Sequence, residues 1–168
     1  MEKLKTLDYL RYKCTALKNQ GKIIVTTNGA FDIIHKGHIY LLTEAKKKGN
    51  ILIVGLNSDK SIKKYKSITR PINCQEDRAI VLSALECVDY ITIFDEPDPL
   101  NFLRAIEPHL HVKSRKGYKG LEKEVIDENK IHLIRDVPGY SSTMLLKKLY
   151  EDRIYSDTYR RGQSEVEL

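Results

Sequence analysis

His35 and His38 stand three residues apart in Ile34-His35-Lys36-Gly37-His38, where an apolar β-branched run gives way to an amphipathic one. Positions i and i+3 share a face of a helical first turn, so the spacing aims two imidazoles at one place. That place is a helix N-terminus, where free N–H groups and the helix dipole favour an anion, phosphate above all. Gly29 permits a tight turn ahead of the pair, and Gly37 lets the backbone pass close to a ligand. Displacement at the α-phosphorus of a triphosphate needs donors that hold the departing pyrophosphate and absorb charge in the transition state, with no covalent intermediate. Two histidines meet that need. Metal ligation or a surface accident are the alternatives, but a metal site wants a third ligand, and His109, His111 and His132 fall on later strands without motif spacing.

The elements that must position this pair are legible from periodicity. Leu4, Leu7, Leu10, Tyr12, Ala16 and Leu17 recur at helical spacing, so residues 4–19 read as an amphipathic lead-in helix closed by Gly21. Strands are expected at 22–27, 51–56, 90–94, 110–112 and 131–134. Helices are expected at 37–48, 58–66, 75–87, 99–106 and 142–151. Strands alternating with helices imply an α/β fold with a doubly wound parallel sheet of five strands. In such sheets ligands sit beyond the carboxyl ends of the strands, so the segments after Thr27, Leu56, Val112 and Arg135 should converge on one cleft. Residues 1–20 read as an N-terminal helix, 21–152 as the catalytic domain, and 153–168 as a polar C-terminal tail without periodicity.

Composition narrows the partners. The 168 residues suit one domain, and the formal charge of +6 suits an anionic ligand. Three cysteines, Cys14, Cys74 and Cys87, show neither disulfide nor zinc spacing, which fits a reducing cytoplasm. No run approaches the roughly 18 apolar residues a membrane span requires, and no signal-like segment opens the chain, so no membrane partner is expected. A basic nucleic-acid binder would need a basic surface studded with aromatic side chains, so no nucleic acid is expected either.

Gly29-Ala30-Phe31-Asp32-Ile33-Ile34-His35-Lys36-Gly37-His38 resembles the HxGH motif of the cytidylyltransferase-like nucleotidyltransferase superfamily. The resemblance continues through Asn57-Ser58-Asp59, Lys63-Lys64 with Lys66, Arg70-Pro71, Asp77-Arg78, Val88-Asp89 and Ser141-Ser142-Thr143, covering roughly residues 20–150. Its closest form is the heptose 1-phosphate adenylyltransferases of lipopolysaccharide core synthesis. The glycerol 3-phosphate cytidylyltransferases are similar to a lesser degree.

This resemblance implies a Rossmann-like, HUP-type nucleotidyltransferase fold and transfer of AMP from ATP to a sugar 1-phosphate, with Mg2+ held by the triphosphate. It implies catalytic roles for His35, His38 and Lys66. Nucleotide contacts would come from Gly29, Ala30, Phe31, Asp32, His35, Gly37, His38, Asn57, Asp59, Lys113, Gly139, Ser141, Ser142 and Thr143, with Asp32 supporting the loop. Lys64, Lys66 and Arg78 would meet the phosphorylated small-molecule acceptor. Heptose-type members carry Lys-Gly-Gly-Asp-Tyr where this chain reads Lys113-Ser114-Arg115-Lys116-Gly117-Tyr118, without the acid and with two added cations. CTP as donor with glycerol 3-phosphate or another alcohol phosphate, adenylyl transfer to FMN, and a nucleotide-binding regulatory module stay open, as does a homodimer.

Overall fold

A computed structural model describes residues 2–65 and 69–151. Five strands, β1 (Ile24–Gly29), β2 (Ile51–Asn57), β3 (Tyr90–Phe94), β4 (Leu110–Ser114) and β5 (Ile131–Ile134), form one sheet in the order β3-β2-β1-β4-β5. Every pairing is parallel. Helices α1 (Leu7–Asn19), α2 (Lys36–Lys46), α3 (Asp59–Tyr65), α4 (Gln75–Ser83) and α5 (Leu100–Ile106) connect or cover the strands, and helical residues 142–151 (α6) close the described chain. From β1 the chain builds outward to β3, then returns to place β4 on the other side of β1. The carboxyl ends of β1 and β4 therefore diverge into a crevice, the usual ligand position in such sheets.

The strands read as near-continuous apolar runs because both faces are covered. On one face Leu10, Cys14 and Leu17 of α1 pack with Ile24, Ile53, Phe102, Leu103 and Ile106. On the other, Leu42 and Ala45 of α2 and Ala79 and Leu82 of α4 pack with Val25, Leu52, Val54 and Val112.

Local chemistry moves several boundaries. The lead-in helix starts at Leu7, where Thr6 accepts the N–H of Tyr9, rather than at residue 4. Residues 3–5 instead pair with β3, Lys5 N–H donating to Ile91 and Ile91 N–H to Lys3, both at 2.9 Å, which closes an otherwise open sheet edge. The fourth helix ends at Ser83, and β1 extends through Asn28 and Gly29. Two 3-10 turns, Leu121–Glu124 and Glu128–Lys130, fill the β4–β5 connection, which is too short in apolar residues to show a helical period. Residues 66–68 and the tail from 152 lie outside the described residues. No helix among the described residues is long and apolar enough to cross a membrane.

One polar pair sits within the sheet. His111 on β4 lies opposite Thr26 on β1, its Nδ1 at 2.8 Å from Thr26 Oγ1, and both are fully buried. Burial holds the His111 imidazole well below its ordinary pKa, with the nearby charge of Lys113 acting in the same direction. The unfolded chain thus takes up a proton below about pH 6.5 that the folded chain refuses. Stability contributed above that pH is lost as the pH falls, by up to about 1.4 kcal/mol per pH unit. Denaturant titrations from pH 7.5 to 5 are expected to show this slope, and His111→Asn should flatten it; equal slopes in the two proteins would refute the assignment.

Candidate active site

The turn from β1 into α2 is built around a folded-back histidine. His35 is the N-cap of α2 in extended conformation, and its Nδ1 accepts the N–H of Gly37 at 3.1 Å. An accepting Nδ1 leaves the ring proton on Nε2, the atom then able to donate to a ligand. Burial lowers the pKa of His35, opposed by a backbone hydrogen bond, so the imidazole is neutral at physiological pH. Its ring stacks on His38 with centroids 3.8 Å apart and planes at 24°. Gly37 leaves room for this ring, since a Cβ would lie 3.0 Å from His35 Cε1 and 3.1 Å from Nδ1 and the imidazole would have to shift.

Phe31 braces the pair from below, its ring centroid 5.2 Å from that of His38. Its backbone lies in the left-handed region at φ 45°, which costs a side-chain-bearing residue about 1–2 kcal/mol. Burial of the ring offsets that cost.

Asp32 fixes the loop. Its buried carboxylate accepts the N–H groups of Ile72 and Asn73 at 2.9 Å and pairs with Arg70 Nη2 at 2.8 Å, while Asn73 Nδ2 donates to the Asp32 carbonyl. Arg78 braces the same loop from behind, donating to the carbonyls of Ala30 and Asn73 and to Asp59 Oδ1 at 2.7 Å. The guanidinium is fully buried and ties three segments together. The Asp59 N–H also donates to Gln75 Oε1 at 3.1 Å, so Asp59 stands behind the turn with Arg78.

In front of the turn opens a cleft of about 340 Å³. Gly29, Phe31, His38, Asn57 and Lys113 line it, bringing together residues from the ends of β1, β2 and β4 and the start of α2. Of the four segments expected to converge, the one after Arg135 does not line this cleft. Asn57 is held by its Nδ2 donating to Ser61 Oγ at 3.0 Å. Residues 139–143 lie beside α2. Gly139 adopts φ 80°, Tyr140 Cβ comes within 3.7 Å of where a Gly37 Cβ would stand, and Ser142 Oγ reaches the Ile33 carbonyl at 3.5 Å. Ser141 caps α6 by accepting the N–H of Met144, and Thr143 is exposed in its first turn. Lys64 is exposed on α3, and Lys66 lies outside the described residues. Arg78 lines a separate cleft of about 160 Å³ with Asp32, Asn73 and Asp77. Among the described residues no three His, Cys, Asp or Glu side chains are grouped to hold a metal ion.

Lys113 is the buried cation of the main cleft. Its Nζ donates to Asn28 Oδ1 at 2.9 Å and stands 3.9 Å from Glu122 Oε1. Burial pulls its pKa down to about 8, with Glu122 partly restoring it. Asn28 and Glu122 had no signal in the sequence marking them as site residues. Asn28 reads as a turn former and Glu122 as a solvated charge.

The cytidylyltransferase-like family profile matches residues 26–153. This chain belongs to the cytidylyltransferase-like family. It is 43% identical to the bifunctional protein HldE of Aliarcobacter butzleri over 152 residues, spanning 89% of the chain but 31% of that protein. The corresponding protein of Wolinella succinogenes is 44% identical over 151 residues, 88% of the chain and 31% of the relative. The chain thus spans about a third of the curated relatives it matches. Among solved structures, a lipopolysaccharide core biosynthesis protein from Thermoplasma volcanium superposes with TM-score 0.60 at 26% identity, over 70% of this chain and 98% of that one. A pantoate-beta-alanine ligase from Francisella tularensis shares the fold, with TM-score 0.59 at 15% identity. The cytidylyltransferase-like fold expected from the HxGH motif is therefore present, with the motif at the switch point of the sheet.

Two outcomes test the geometry. Gly37→Ala should displace the His35 ring and reduce nucleotide affinity with the circular dichroism unchanged; unchanged affinity would show the close approach to be irrelevant. NMR of isotope-labelled lysines should find one signal, absent in Lys113→Met, that titrates near pH 8. A Lys113 titrating above pH 10 would contradict the burial argument.

Proposed function

We propose that this chain transfers AMP from ATP to a sugar 1-phosphate of the heptose type, releasing pyrophosphate. The observation that carries the reading is the His35–His38 stack, 3.8 Å between centroids, at the N-terminus of α2. The resemblance to heptose 1-phosphate adenylyltransferases, and the similarity to the bifunctional HldE proteins and to a lipopolysaccharide core biosynthesis protein, support the acceptor class.

The substrate is ATP as its Mg2+ complex, with the metal held by phosphate oxygens, which agrees with the magnesium habit of binding mainly through phosphates and water. An oxygen of the acceptor phosphate attacks the α-phosphorus in line. The new P–O bond forms as the bond to the bridging α–β oxygen breaks, and the electron pair leaves on pyrophosphate. Nε2–H of His35, His38 and the N–H groups opening α2 meet the charge that grows on the leaving group. Gly29 and Phe31, with Ala30 between them in the chain, shape the surface on which the nucleotide lies, and Asn57 and Lys113 line the same cleft. Ser141, Ser142 and Thr143 close over the distal phosphates from the start of α6. Lys64 and Lys66 supply charge for the acceptor phosphate, Lys66 in a catalytic role, while Arg78 and Asp59 act through the loop they brace. A reaction that draws on ATP belongs in the cytoplasm.

Pyrophosphate release is the test. ATP with heptose 1-phosphate should turn over faster than CTP with glycerol 3-phosphate or ATP with FMN. His35→Ala and His38→Ala should each lower turnover by ~10² or more with the fold intact. Undiminished pyrophosphate release in both variants would end this reading.

A further inference from the structure

Glu122 is a buried acid that the loop sequence does not announce. Its side chain is 4% exposed, it lies in the 3-10 turn Leu121–Glu124, and it lines the main cleft opposite Asn28, Phe31 and Lys113. Oε2 is buried and has no hydrogen-bond partner among the described residues. Among the described residues Oε1 has Lys113 Nζ at 3.9 Å, too far for a hydrogen bond, while that ammonium donates to Asn28. A carboxylate held this way is under-satisfied, and buried polar groups left without partners are rare outside sites that receive a ligand.

We propose that Glu122 is a specificity residue of this cleft, its carboxylate accepting a hydrogen bond from a hydroxyl of a sugar ring. This rests on the nucleotide and sugar-phosphate reading above and adds the group that reads the sugar. A carboxylate rejects phosphate and carbonyl oxygens and takes only a donor. Of the donors that nucleotides and sugar phosphates carry, hydroxyls lie next to the phosphates, whereas a base amine stands at the far end of the nucleoside. Lys113, the buried cation that a phosphate would seek, stands 3.9 Å from Glu122, so donors next to the phosphates are the ones in reach. Glu122 also answers the composition of the preceding loop. Residues 114–118 bring Arg115 and Lys116 but no acid, and the turn seven residues or so downstream folds one back to Lys113.

The ring is either the ribose of the nucleotide or the acceptor sugar, and two measurements separate them. Calorimetry compares ATP, 2′-deoxy-ATP, 3′-deoxy-ATP and inosine triphosphate on the wild-type chain and on Glu122→Gln. If the ribose is read, the wild type prefers ATP over one deoxy analogue by about tenfold or more, and Glu122→Gln closes that gap. If the acceptor is read, the ATP series is unchanged, KM for heptose 1-phosphate rises about tenfold in Glu122→Gln, and kcat holds. A variant that leaves both arms untouched overturns the proposal, as does one that closes the gap between ATP and inosine triphosphate instead, which would assign the carboxylate to a base amine. Should Glu122→Gln fail to fold, Glu122→Asp takes its place in both arms, and two unchanged arms overturn the proposal. Absence of turnover with any sugar 1-phosphate would remove the proposed reaction while leaving the ATP arm standing.

Discussion

The carboxylate of Asp32 is the point on which the site hangs. It is buried at the end of the β1 turn, takes two backbone N–H groups from the 70–73 segment, and faces Arg70. A carboxylate so placed is stable only while those partners stay, and removing one member of such a buried pair costs about 3–5 kcal/mol. The constraint runs both ways. The 70–73 segment is ordered by the acid, and the acid fixes the path of the chain between Phe31 and His35. Arg78 adds a second tie from behind, so the loop that leads to His38 in the cleft and to His35 stacked on it is held on both sides.

Much of this was legible in the residues. Continuous β-branched runs announce strands covered on both faces, and the spacing of His35 and His38 announces a shared helical face. Both follow from rules that need only near neighbours in sequence. Arg78 shows where such rules stop. On an amphipathic helix it reads as a surface cation or an anion ligand, and nothing nearby in sequence tells that the Ala30 carbonyl, forty-eight residues earlier, will bury it. Glu122 was invisible for the same reason, since its burial depends on how the β4–β5 connection packs against α5. Boundaries shifted where tertiary pairing competed with helix formation, as when residues 3–5 joined the edge of β3.

Burial around the cleft sets stability against binding. Lys113 and Glu122, which line it, and His111, two residues before Lys113 on β4, are all nearly solvent-free, where apolar residues would pack at lower cost. Desolvation presses His111 and Lys113 toward neutrality. An anionic ligand would meet a lysine with few competing waters, in a medium where each charge acts more strongly than in solution.

Lys113 has one more chemical property. A lysine whose pKa is about 8 holds an appreciable share of its population as free amine at mildly alkaline pH, whereas ordinary lysines near 10.4 stay almost wholly protonated. The residue lines the cleft rather than the outer surface. It is therefore the amine that a small acylating or aldehyde reagent would modify first among lysines of equal access. A bound nucleotide would shield it, making the rate of that modification a direct gauge of how full the cleft is.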